Sequence, residues 1–241
     1  MMALIRRYGT FLVIWVLLLV ASASCYHHLT KENPYDLKII SDITAYHKII
    51  LEDSNKALFD IEKLIPGITL DIRYASKNNF THQKMYESPR AFVRKPVGEA
   101  LVQIQKELND KGMGLKIYDA YRPYCVSLKF YEVCPDTLFV AAPWKGSKHN
   151  TGCAVDVSLV DLKTGKEIEM PTAFDDFTEK ASHSYMDLPA PILQNRQILL
   201  DVMVKYGFLP LEHEWWHYDF HDWQEFDLMD ISFREIKKMK R

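Results

Sequence analysis

The chain has 241 residues, 48% hydrophobic and 26% charged. Those fractions match an ordinary globular protein and exclude a disordered or collagen-like chain. Lys and Arg number 30 against 32 Asp and Glu, a net charge of -2, which excludes the concentrated positive field that nucleic acid requires.

The first element is a targeting segment. Arg6 and Arg7 precede an apolar run over residues 11–20, and the small residues Ala21, Ser22, Ala23 and Ser24 follow. A charged start, a short apolar stretch and an Ala-x-Ala-like site are the features of an export signal. The run is about half the ~20 residues that a membrane-spanning helix needs. Cys25 directly after the small residues resembles a bacterial lipoprotein site. Residues 1–24 are therefore expected to be a signal peptide, residues 25–60 a leader segment, and residues 61–241 the domain. The expected location is the periplasm or cell envelope. Lipidation at Cys25 and a short uncleaved anchor are alternatives, and either would be the chain's sole tie to a membrane.

Within the domain, Val97, Ala100, Leu101, Ile104 and Leu108 recur at helical spacing, which predicts a helix over residues 94–111. Pro96 opens it and Gly112 stops it. Residues 115–120 alternate like a strand. Val155, Val157 and Leu159 alternate with Asp156 and Ser158 and predict another strand. A second helix is expected over residues 191–206, closed by Gly207. The aromatics of residues 215–220 favour a strand. Strands and helices mix without regular alternation, so the predicted class is α+β, a mostly antiparallel sheet with packed helices. Four cysteines, Cys25, Cys125, Cys134 and Cys153, contain no closely spaced pair suited to structural zinc. An oxidising compartment permits a Cys125–Cys134 disulfide, and two unpaired thiols are the alternative.

Three clusters could carry chemistry. In Ser147-Lys148-His149-Asn150-Thr151-Gly152-Cys153-Ala154-Val155-Asp156, a glycine between His149 and Asp156 permits a sharp turn. An imidazole and a carboxylate brought together suit zinc. His213-Glu214-Trp215-Trp216-His217 matches the helical H-E-x-x-H zinc motif literally. The surrounding Pro210, Tyr218, Phe220 and Trp223 favour a strand instead. On a strand only His217 binds metal, Glu214 lies beside it, and His213 is a bystander. Tyr121-Arg122-Pro123 places an arginine at a strand end, where its forked donors suit a carboxylate or an oxyanion. A loop histidine with a capping aspartate, and a plain surface arginine, are the bland alternatives for each cluster taken alone.

Together and in this order, YRP, SxHxxGxAxD and ExWH resemble the zinc D-Ala-D-Ala metallopeptidases, which comprise D,D-carboxypeptidases and VanX-type D-alanyl-D-alanine dipeptidases. The likeness covers about residues 60–225. Met170-Pro171-Thr172-Ala173-Phe174-Asp175-Asp176-Phe177 is most similar to the dipeptidase branch. The resemblance implies the hedgehog/DD-peptidase-like fold and one zinc ion held by His149, Asp156 and His217. It implies Glu214 as general base, Arg122 as transition-state stabiliser, Asp175 as partner of the substrate ammonium, and Ser147 lining the pocket. Asp176 replaces Asp175 if the register slips by one. The implied substrate is the small dipeptide D-alanyl-D-alanine. Carboxypeptidase or endopeptidase action on peptidoglycan stems is the alternative, and a catalytically dead binding module a third.

Overall fold

The computed structural model describes residues 33–239, so the targeting segment and Cys25 lie outside the described residues. The centre is a five-stranded sheet in the order β3-β5-β6-β8-β7. Its strands are β3 (Thr69–Leu70), β5 (Met113–Asp119), β6 (Ala154–Asp161), β7 (Phe208–Leu211) and β8 (Glu214–Phe220). Only the β3–β5 pair is parallel. The expected α+β class and largely antiparallel sheet are what the molecule shows.

The sheet packs against α3 (Lys95–Asn109) and α5 (Ala190–Lys205), which also touch each other. Val97, Leu101, Ile104 and Leu108 of α3 are fully buried, as the 3.6-residue period requires. Each such side chain contributes roughly 1.5–3 kcal/mol on burial. Pro96 lies in the first turn of α3, where no backbone donor is needed. Gly112 and Gly207 follow α3 and α5 at φ +71° and +89°, in the places expected for terminators. In α3 the Gln105 side chain accepts the backbone N–H of Leu115 at 2.9 Å, tying helix to sheet.

Residues 33–60 are more than a leader. β1 (Ile39–Ile40) pairs with β9 (Leu228–Met229), and β2 (Leu58–Asp60) pairs with β4 (Phe92–Arg94). Between them α1 (Ile43–Glu52) buries Tyr46. The short helix α2 (Ile61–Leu64) follows, and α6 (Phe233–Lys238) closes the described chain. Arg94, 1% exposed, donates to the carbonyls of Lys56, Thr151 (2.6 Å) and Asp227 (3.2 Å). One guanidinium thereby holds three distant segments together. Cys125, in α4 (Tyr124–Val133), Cys134 and Cys153 are all free thiols, so the Cys125–Cys134 disulfide is not formed.

Register positions the chemistry. Asp119 faces Asp156 across β5–β6, and Asp156 faces His217 across β6–β8. Directly paired residues share one face of a sheet, so these three side chains form a rank across three strands. A bulge between Ile117 and Asp119 re-aims the end of β5.

Candidate active site

His149 sits in a single 3-10 turn, Lys148–Thr151, whose geometry is fixed at both ends. The Ser147 hydroxyl accepts from the backbone N–H of His149 (3.2 Å), and the Asn150 side chain accepts from that of Ser147 (2.7 Å). Gly152 closes the turn at φ +80°, where a Cβ would meet Leu58 Cδ2 at 2.8 Å. Asn150 also donates to the carbonyl of Arg122 (2.8 Å), and Arg122 N donates to that of His149 (3.0 Å). The histidine turn and the arginine turn are thus joined.

Three donor atoms converge. His149 Nε2 is 3.2 Å from His217 Nδ1 and 3.4 Å from Asp156 Oδ1, and the last two are 3.0 Å apart. Tetrahedral ligands ~2.0–2.1 Å from one zinc ion stand ~3.3 Å from each other. The observed spacings fit that ion. The far nitrogen of each ring is also held. His149 Nδ1–H donates to the Ala120 carbonyl at 2.8 Å, and His217 Nε2–H to Asp219 Oδ1 at 3.0 Å. Both lone pairs are therefore turned to a common point, as metal-binding histidines require. Among the described residues, this is the group of His, Cys, Asp and Glu able to hold an ion.

The charges agree with a cation site. Burial resists ionisation of Asp156, but the two facing imidazoles override it and hold the carboxyl well below its usual range. Burial likewise resists protonation of His217, yet Asp156 and Asp219 flank the ring and push it up to about 10. The same carboxylates that attract a proton attract a metal, and the two compete.

Glu214 and His217 of H-E-x-x-H lie on strand β8, as the aromatic pattern implied, and His213 lies in the turn before it. His213 is exposed at the cavity rim, outside the donor triad. Glu214 opens β8, with Oε2 3.9 Å from His217 Nδ1, and burial raises its pKa. Arg122 gives Nε and Nη2 to Asp119 Oδ2 at 3.1 and 2.7 Å. Asp119 in turn accepts from the Tyr86 hydroxyl at 2.6 Å. Burial works against the guanidinium charge, and Asp119 more than restores it. Arg122 also lies over the Phe130 and Tyr74 rings, 4.5 and 5.4 Å from their centroids.

Asp175 stands at φ +62°, a strained backbone for a non-glycine residue. Its Oδ1 accepts from the Tyr74 hydroxyl at 2.9 Å, while Oδ2 is buried without a partner. Burial, reinforced by Asp156, pushes its pKa up to about 8. Asp176, the alternative one residue on, accepts from Thr178 N at 2.9 Å and does not line the cavity. Asp175 and the triad line one cavity of about 390 Å³, together with Glu214, Arg122 and Ser147. Phe139 and Phe177 stack across two loops of its wall at 4.8 Å. Tyr74, Asp119 and Asp219 were not singled out from sequence. A hydroxyl or carboxylate that acts through a neighbour leaves no spacing motif.

A buried pair of imidazoles and a carboxylate, beside a glutamate and an arginine in an α+β fold, has the groups that metallopeptidase chemistry uses. The comparisons make the family definite. The model described as D-ala-D-ala dipeptidase (Peptidase_M15) matches residues 54–237, and the chain belongs to that family. The D-alanyl-D-alanine dipeptidase of Escherichia coli K12 is 30% identical over 177 residues, 73% of this chain and 91% of that protein. That of Enterococcus faecium is 27% identical over 182 residues, covering 67% and 90%. A crystal structure of the vancomycin resistance D,D-pentapeptidase VanY with Zn(II) aligns at 13% identity and TM-score 0.37. That alignment covers 56% of this chain and 76% of VanY.

Proposed function

We propose that the protein is a zinc-dependent dipeptidase that hydrolyses free D-alanyl-D-alanine. One observation carries the reading: the donor triad, Glu214, Arg122 and Asp175, with one buried carboxylate oxygen lacking a partner, all line one cavity. Relatives named for this activity, matched over 91% and 90% of their own length, support it. His149, Asp156 and His217 would hold one zinc ion, which would supply Lewis-acid activation of a water by lowering its pKa to ~7.

The chain's own residues do the rest. Glu214 takes the proton of the attacking water and passes it to the leaving amine. Its raised pKa suits a group that must hold a proton between those steps. Arg122, fixed by Asp119, directs its remaining N–H groups at the oxygen that gains charge as the carbonyl is attacked. Asp175 and Tyr74 receive the substrate ammonium, which supplies the missing partner of Oδ2. Ser147 lines the pocket with its hydroxyl proton still available. A longer peptide without a free amine would leave Asp175 buried and unpaired, which disfavours it.

The test is a panel of D,D-, L,D- and L,L-dipeptides and a pentapeptide stem, assayed with and without chelator. D-alanine release from D-Ala-D-Ala, abolished by chelator and absent from the stem, is expected. Turnover of the stem instead would establish the carboxypeptidase or endopeptidase reading. Export through residues 1–24 is part of the same proposal. N-terminal sequencing of the mature protein, expected to start near Cys25, checks it.

A further inference from the structure

A free dipeptide is a zwitterion, and Asp175 accounts for one of its charges. Its carboxylate needs a cation on the other side of the scissile bond. The basic side chains lining the cavity are Arg122, Lys148, His149, His213 and His217. His149 and His217 belong to the donor triad, and His213 is exposed at the rim. Arg122 commits two N–H groups to Asp119 and lies against Tyr74, the hydroxyl partner of Asp175. It therefore stands on the ammonium side.

Lys148 is placed differently. Its ammonium gives one N–H to Asp219 Oδ2 at 2.6 Å and lies 5.1 Å from the centre of the Trp223 ring. An ammonium has three donors, so two remain for an incoming anion. Asp219 uses its other oxygen on His217 Nε2, the ring nitrogen turned away from the donor triad. Lys148 is thus tied through Asp219 to the outer nitrogen of His217, whereas Asp175 is tied through Tyr74 to the ring that Arg122 covers, so the two charged groups are anchored to different parts of the lining. The Lys148 side chain is 39% exposed, so the cavity solvent reaches it, while Asp219 and Trp223 fix where it stands.

We infer that Lys148 holds the C-terminal carboxylate of the dipeptide, making the site selective for substrates with a free acid end. The inference rests on the dipeptidase reading above. Compounds of one class fit: dipeptides charged at both ends. Loss of the carboxylate leaves Lys148 paired only with Asp219, and loss of the lysine leaves the carboxylate without a counter-charge.

The experiment compares D-Ala-D-Ala with its C-terminal amide on wild type, Lys148→Met and Lys148→Arg, with bound zinc measured in each. Lys148→Met should lower kcat/KM for the free acid roughly 10–100-fold through KM, the effect of losing one hydrogen bond to a charged group. It should leave the amide unchanged, so that the preference for the acid disappears. Lys148→Arg should keep that preference, and zinc content should stay constant. Equal losses on acid and amide, or loss of zinc, would make Lys148 a support for Asp219 and His217 and overturn the inference. A wild-type enzyme inactive on every dipeptide would instead overturn the dipeptidase reading, and this assignment with it.

Discussion

The cavity has a floor built by strands β6 and β8 with the two turns that carry His149 and Arg122, and a wall built by loops, and the two are held in opposite ways. On the floor the two imidazoles and the guanidinium each have a fixed partner behind them. The Ala120 carbonyl backs His149, Asp219 backs His217, and Asp119 backs Arg122. In the wall, Asp175 combines a positive φ, a raised pKa and an oxygen with no partner. Around it Leu138 is 76% exposed, and the Phe139–Phe177 stack spans two separate loops. The floor groups are oriented from behind before anything binds, whereas the wall holds a buried carboxylate oxygen whose missing partner a cationic ligand supplies. Chemistry should therefore fail through floor substitutions and selectivity through wall substitutions.

The largest expected effect is on the floor. Glu214→Ala should lower kcat ~10²–10⁴-fold while zinc stays bound, checked by steady-state kinetics with metal analysis. Full retained activity would remove it as base. Arg122→Ala should lower kcat ~10²–10³-fold and raise KM less. A change confined to KM would move Arg122 to substrate binding and blur the floor–wall contrast.

Asp175→Asn sharpens the contrast, because it should lose activity and gain stability. Asn keeps the Tyr74 hydrogen bond and tolerates positive φ. The folded pKa of Asp175, about 8, lies well above the ordinary aspartate value of 3.8. The folded state binds this proton more tightly, so wild-type stability falls as pH rises from about 4 to 8. Metal-free Asp175→Asn should consequently melt higher than wild type at pH 8 and equally at pH 4. Equal melting at both pH values would show that the carboxylate is not under strain. Phe177→Ala, in the wall, should raise KM and leave kcat near wild type. His213→Ala has the smallest expected effect, with zinc content unchanged.

What the sequence disclosed follows the same division. The helices of residues 95–109 and 190–205 and the strands of β5, β6 and β8 rest on local periodicity, which one chain segment displays by itself. The strand nature of H-E-x-x-H was legible because Trp215, Trp216, Tyr218 and Phe220 pack poorly on one helix face. The meeting of Asp156 with His217 was legible only through the family resemblance, because register is set by contacts between segments about 60 residues apart. Tyr74 was invisible for the same reason: it reaches Asp175 across 101 residues from a short 3-10 turn. Residues 33–60 were read as a leader because their polar composition hides how few anchors suffice. Leu58 and Tyr46 are the apolar side chains buried there, at 1% and 2% exposure, with Asp60 beside them.

Arg94 gives that N-terminal stretch a practical meaning. A gene trimmed to begin at residue 61 would encode every side chain assigned to catalysis. It would also delete the Lys56 carbonyl, one of three oxygens around a guanidinium whose others belong to Thr151 and Asp227. The Leu58 methyl beneath Gly152 would go with it. Shortened versions made for crystallography or display should be cut before Ile39, since the histidine turn leans on what looks expendable.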